Sequence, residues 1–191
     1  MPDRTRILVV AATARELAAP DGWRTLLCGV GPVEAAAATA AEVARERPAL
    51  IVHVGIAGAR RARGIAPATL AIGTSSRYCD LGVGPEWAPG TVAVAPALVA
   101  AARRALPAAI ACEIGTSARI GGAAGCDVEA MEGFGVLRAA ERAGVPAIEV
   151  RAVSNDIEET DRARWQFEAA FAAITGATPA LVAEVARSLG S

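Results

Sequence analysis

No lysine occurs in this chain of 191 residues; all nineteen of its basic side chains are arginine. That excludes Schiff-base chemistry and the phosphate-gripping lysine of a P-loop. There is one histidine, His53, and the four cysteines (Cys28, Cys79, Cys112 and Cys126) stand singly. None has the spacing of a zinc site, so neither a metal nor a cofactor is expected. The net charge is −1 with no basic block, which excludes nucleic acid as a partner. No run approaches the roughly 18 apolar residues that span a bilayer, and no membrane partner is expected. ILVVAA near the start is too short for a signal h-region. A cytoplasmic protein is expected, with reduced thiols filling its core.

Apolar residues make up 53% of the chain, enough to bury the core of a single domain over residues 1–191. The runs at 6–12, 23–31, 49–59, 68–78, 108–120 and 146–154 read as strands. Helices are expected over 32–47, with Pro32 in the first turn, and over 96–106, 127–144, 162–174 and 179–189. Strands alternating with helices predict an α/β fold with a mostly parallel sheet. Ligands of such sheets lie beyond the carboxyl ends of the strands. That directs the search to 12–16, 54–59, 73–80, 114–120 and 151–156.

Glycine turns follow two of the strands. GVGPVEA lacks the third glycine of a dinucleotide fingerprint, and GIAG reads as a tight turn that allows a backbone contact to a small ligand. By residue type alone, Glu16 is a solvated carboxylate in a first helical turn. Glu132, between Met131 and Gly133, is either a surface charge or an acceptor for hydroxyls. His53 reads as a core residue, and Trp165 and Phe167 as anchors of a helix. The only asparagine, Asn155, stands at the mouth of a buried strand in EVRAVSNDIEE.

Four segments together carry a resemblance: ILVVAATARELA, LIVHVGIAGA, DVEAMEGFGVLRAAERAGVPAIEVRAVSN and DRARW. They resemble the nucleoside phosphorylase and nucleosidase superfamily and, within it, the futalosine hydrolase family. The similarity covers nearly the whole chain and is poorest over 82–110. It implies a three-layer αβα domain with a mixed, mostly parallel central sheet, and a homodimer or larger assembly. The implied activity is hydrolysis of the N-glycosidic bond of futalosine, releasing hypoxanthine, in menaquinone biosynthesis. An adenine nucleosidase and a purine nucleoside phosphorylase are the alternatives.

By the same resemblance, Glu16 activates the attacking water, Arg151 holds Glu16 through a charge-assisted bond, and Met131 and Glu132 contact the ribose. The Ile56, Ala57 and Gly58 turn and the backbone at Ile120 contact the substrate. Phosphorylases use an arginine and a serine at the places of His53 and Ile56, and isoleucine cannot donate to an anion; that favours water as the nucleophile. Asn155, oriented by Ser154, takes the place of the aspartic acid of adenine nucleosidases. Its neutral amide donates to N7 and O6 of a 6-oxopurine, while Asp156 would supply a proton in a register shifted by one. Arg119 falls where relatives stack an aromatic ring on the base. Futalosine carries a carboxyphenyl ketone arm at the 5′ position, for which Arg77, Arg162 and Arg164 are candidate partners.

Overall fold

The computed structural model describes residues 4–189. Among the described residues, eight strands and four α-helices follow one another. The strands are β1 (Ile7–Ala11), β2 (Arg24–Leu27), β3 (Leu50–Ala59), β4 (Leu70–Tyr78), β5 (Thr91–Ala93), β6 (Ile110–Thr116), β7 (Val128–Ala130) and β8 (Ala147–Asp156). The helices are α1 (Pro32–Arg45), α2 (Pro96–Ala105), α3 (Gly133–Arg142) and α4 (Phe167–Ser188).

All five residues of β1 are fully buried, as expected of a strand covered on both faces. Burying a side chain such as Leu50, Ile51 or Ile72 stabilises the fold by roughly 1.5–3 kcal/mol. The sheet is mixed and mostly parallel. β1 pairs in parallel with β2 and β3, β3 with β8, β4 with β6, and β6 with β7. The β3–β7, β4–β5 and β4–β8 pairs are antiparallel. Five strands close on themselves in the order β3, β8, β4, β6, β7. The expected α/β class and mixed sheet are present, but the sheet closes into a five-stranded barrel, with β1 and β2 extending from β3 and β5 from β4. Helix α1 packs on α3, and α2 on α4.

Three differences from the expected elements stand out. The predicted helix over 127–144 is β7 followed by α3, because the edges of β3 and β6 capture three residues ahead of the helix. The short strand β5 was not expected. The two closing helices are one, with Pro179 inside α4. Ile174, Thr178, Leu181, Val182 and Val185 form one continuous buried face across the proline, and their packing outweighs the lost backbone hydrogen bond. By length and composition α4 is also apolar enough to cross a bilayer, a feature that the sequence reading missed; it packs against β3, β8 and α2.

Candidate active site

A cavity of about 270 Å³ opens beyond the carboxyl ends of β1, β3 and β8. Its polar lining includes Glu16, Glu129, Glu132, Ser154 and Asn155; Ile56, Ala57, Gly58, Ile120 and Met131 line it as well. Arg151, expected to hold Glu16, does not line it, and neither do the further candidates Arg77, Arg119, Asp156, Arg162 and Arg164. The 73–80 stretch, searched on general grounds, contributes nothing.

Glu16 lies in a single 3₁₀ turn after β1, not on an α-helix, and is 4% exposed. Its Oε2 accepts the Thr13 backbone N–H at 2.8 Å and the Thr13 hydroxyl at 2.9 Å. Its Oε1 accepts the Ile56 backbone N–H at 3.1 Å. Three donors fix the carboxylate, and the second lone pair of Oε1 stays free for a water.

Arg151 lies beneath the cavity, fully buried. Its Nε donates to Glu149 Oε1 at 2.8 Å, its Nη1 to Glu132 Oε2 at 3.2 Å, and its Nη2 to His53 Nε2. The expected bond to Glu16 is therefore corrected: the ion pairs of Arg151 are with Glu149 and Glu132. The reason is geometric. The guanidinium and the Glu16 carboxylate both border the space where Gly55 lacks a Cβ, but Glu149, Glu132 and His53 hold the guanidinium, and Thr13 and Ile56 hold Glu16. Burial alone would lower the Arg151 pKa, but Glu149, Glu132 and Glu16 together raise it. Burial pushes the Glu149 carboxyl up despite Arg151. Burial and then Arg151 hold His53 well below 6.5.

Glu132 caps the junction of β7 and α3 and is 4% exposed. Besides Arg151, it accepts the Gly31 N–H at 3.2 Å. Gly31 has φ of +97°, a conformation costly for a side-chain-bearing residue. The GVGP turn thus serves Glu132 and not a phosphate.

The pairing of β8 with β3 slips by one residue: Ala57 faces Val153, but Gly58 faces Asn155. This bulge at Ser154 breaks the alternation of side chains, so Ser154 and Asn155 both line the cavity. The Ser154 hydroxyl lies 2.7 Å from Asn155 Oδ1 and 3.1 Å from Ala57 O. Asn155 Nδ2 donates to Asp156 O at 2.9 Å, which leaves one amide hydrogen for a ligand. A Cβ on Gly58 would come within 3.1 Å of that nitrogen. The Asp156 side chain pairs with Arg61 at 3.1 Å and does not line the cavity. That corrects the shifted-register alternative.

Several lining residues were not foreseen. Glu129 accepts the Gly121 N–H at 2.5 Å and the Ala123 N–H at 2.6 Å, pinning the loop that carries Ile120. Only a strand at 128–130 would have put Glu129 on the same face as Met131. Arg119 does not line the cavity; Ile120, 43% exposed, does. Trp165 and Phe167, expected as core anchors, instead form an aromatic wall with Phe171. Ring centroids are 5.4 Å apart for Trp165–Phe167 and 6.2 Å for Phe167–Phe171. The Arg15 guanidinium lies 4.4 Å from the Phe171 centroid and that of Arg162 5.8 Å from Trp165. Of the other candidate cations, Arg77 pairs with Glu113, and Arg164 with Glu159 and Asp161.

The sequence is 39% identical to futalosine hydrolase of Streptomyces coelicolor over an alignment of 189 positions that covers 83% of this chain and 77% of that one. The chain belongs to the futalosine hydrolase family. Its members and their structural relatives are nucleosidases, and this chain is an N-glycosyl hydrolase of that kind. No family model matches the chain. The fold is shared with a methylthioadenosine/S-adenosylhomocysteine nucleosidase of Colwellia psychrerythraea solved with adenine. That match has a TM-score of 0.82 and 17% identity, covering 93% of this chain and 94% of that one. It is shared equally with futalosine hydrolase of Helicobacter pylori, at a TM-score of 0.81 and 15% identity over 93% and 97% of the two chains.

Proposed function

We propose that the chain hydrolyses the N-glycosidic bond of futalosine, releasing hypoxanthine and dehypoxanthine futalosine. One observation carries the reading: Glu16, Glu132 and Asn155 line a single cavity. Such a cleavage passes through a cationic sugar and a departing base that gains negative charge, and the enzyme must favour both. Glu16 takes the proton of a water that attacks C1′. Glu132 and Met131 hold the ribose, and the Glu132 charge faces the developing cation. Arg151 acts from below, on Glu132. Asn155 donates its free amide hydrogen to the 6-oxopurine, and the neighbouring Ser154 hydroxyl orients the amide.

Two features support hydrolysis of an oxopurine nucleoside over the alternatives. The Ile56 N–H, which an anion would need, is bound to Glu16; that speaks against a phosphorylase. Asn155 is not an acid and Asp156 faces Arg61, which speaks against an adenine nucleosidase. The aromatic wall, flanked by Arg15 and Arg162, suits a flat 5′ arm with an anionic end. The helix pairs α1–α3 and α2–α4 support a three-layer, single-domain reading. A role in menaquinone biosynthesis, a cytoplasmic location and a homodimer or larger assembly accompany this reading by resemblance.

The test is release of free base from futalosine and from methylthioadenosine by purified protein, followed by chromatography. Hypoxanthine is expected to appear faster than adenine. Faster adenine release rejects the oxopurine assignment.

A further inference from the structure

His53 is 0% exposed in the middle of β3, yet both of its ring nitrogens are engaged. Nδ1 lies 3.0 Å from Val10 O. A carbonyl only accepts, so Nδ1 carries the hydrogen and Nε2 presents its lone pair. A guanidinium only donates, so Arg151 Nη2 donates to Nε2. The ring is thus a neutral acceptor with one fixed tautomer.

The three acceptors of Arg151 come from three places: His53 on β3, Glu149 on β8, and Glu132 at the start of α3. A planar guanidinium held on three sides cannot rotate. With His53 removed, Nη2 is left buried without this partner, and the plane is free to turn between two carboxylates. A cation at position 53 would repel Arg151. An anion there would draw it away from Glu132.

The geometry points to His53 as a positioning residue for the hydrolysis. It holds Arg151 so that Nη1 reaches Glu132 Oε2, and with the Gly31 N–H on Oε1 this leaves the outer lone pairs of Glu132 aimed at the ribose hydroxyls. The inference rests on the nucleosidase reading above. It assigns His53 no contact with substrate, and the residue acts through Arg151 and then Glu132.

The readout is the ratio of kcat/KM for futalosine to that for its 2′-deoxy counterpart, compared in wild type, His53→Leu and His53→Gln. Leucine removes the acceptor, whereas glutamine can place an amide oxygen near the position of Nε2. The ratio is expected to fall by about tenfold in His53→Leu, as a charge-assisted hydrogen bond is partly lost, and to recover in large part in His53→Gln. A merely structural histidine would depress both substrates equally, and an unchanged ratio overturns the inference alone. Wild-type protein that cleaves neither nucleoside overturns the nucleosidase reading and this inference with it. Should His53→Leu not fold, ¹⁵N NMR of the wild type decides, since the chain has a single histidine. A protonated Nδ1 beside an unprotonated Nε2 from about pH 8 to about pH 6 supports the assignment; the opposite tautomer overturns it.

Discussion

Glu16 Oε1 accepts the backbone N–H of Ile56 at 3.1 Å. The carboxylate proposed as the general base thus occupies a backbone donor that a phosphate in its place would need. Turnover by purified protein is expected to be independent of phosphate concentration; a rate that climbs with phosphate would contradict the role given to Glu16. Glu16→Gln is expected to lower kcat by about 10²–10⁴-fold, with KM little changed, in a steady-state assay.

On the proposed reading, Asn155→Asp places an acid beside the departing base. The ratio of adenine to hypoxanthine released from matched nucleosides is expected to rise by at least about tenfold. An unchanged ratio would show that position 155 does not read the base.

Arg15 stacks on Phe171 and shares a surface ion pair with Glu168. An exposed pair of this kind is worth about 0–1 kcal/mol, so on the proposed reading the carboxylate of the 5′ arm would displace Glu168 at little cost. Arg15→Met is expected to raise KM for futalosine by about three- to tenfold, and Glu168→Gln to lower it. Equal KM values in all three proteins would remove Arg15 from the arm's binding site.

The buried titratable groups set how stability depends on pH. The folded pKa of His53 lies well below its ordinary 6.5, so below that value the unfolded chain binds the extra proton. Its contribution is complete above pH 6.5 and declines with acidification by about 1.4 kcal/mol per pH unit. Glu149 acts in the opposite direction. Its raised pKa gives a contribution that is complete below 4.5 and lost as pH rises through the folded value. In urea titrations, His53→Gln is expected to flatten the decline of stability below pH 6.5. An identical slope would mean that the histidine charges freely in the native protein.

Burial pushes the thiols of Cys28 and Cys126 up to about 12 and that of Cys112 to about 11, from an ordinary 9.0. Three pH units lower the thiolate fraction about a thousandfold. Iodoacetamide at pH 8 is expected to label these positions slowly in the native protein and quickly in urea, as read by mass spectrometry. Fast native labelling of Cys28 would contradict its burial.

The sequence and the structure part company where contacts are distant in the chain. β1, α1, β3 and β8 were legible because each carries a long apolar pattern of its own, and the ends of β1, β3 and β8 lead to Glu16, Ile56 and Asn155. β7 was not, since three residues show no period and the strand exists only between the edges of β3 and β6. The bulge at Ser154 depends on a partner strand about a hundred residues away, yet it is what turns both Ser154 and Asn155 inward. Arg151 was found as a residue but given the wrong partner, because adjacency in a motif does not tell which of three carboxylates a guanidinium reaches. Trp165 and Phe167 are large aromatic side chains, and residue type does not separate a core anchor from a cavity wall.

The three tryptophans occupy three different surroundings. Trp23 is buried, Trp87 is 80% exposed, and Trp165 is part of the cavity wall. Burial is expected to place the emission of the first to the blue and exposure that of the second to the red, and neither lines the cavity. On the proposed reading only the third indole meets an arriving nucleoside, so a change confined to its emission would report occupancy without any label.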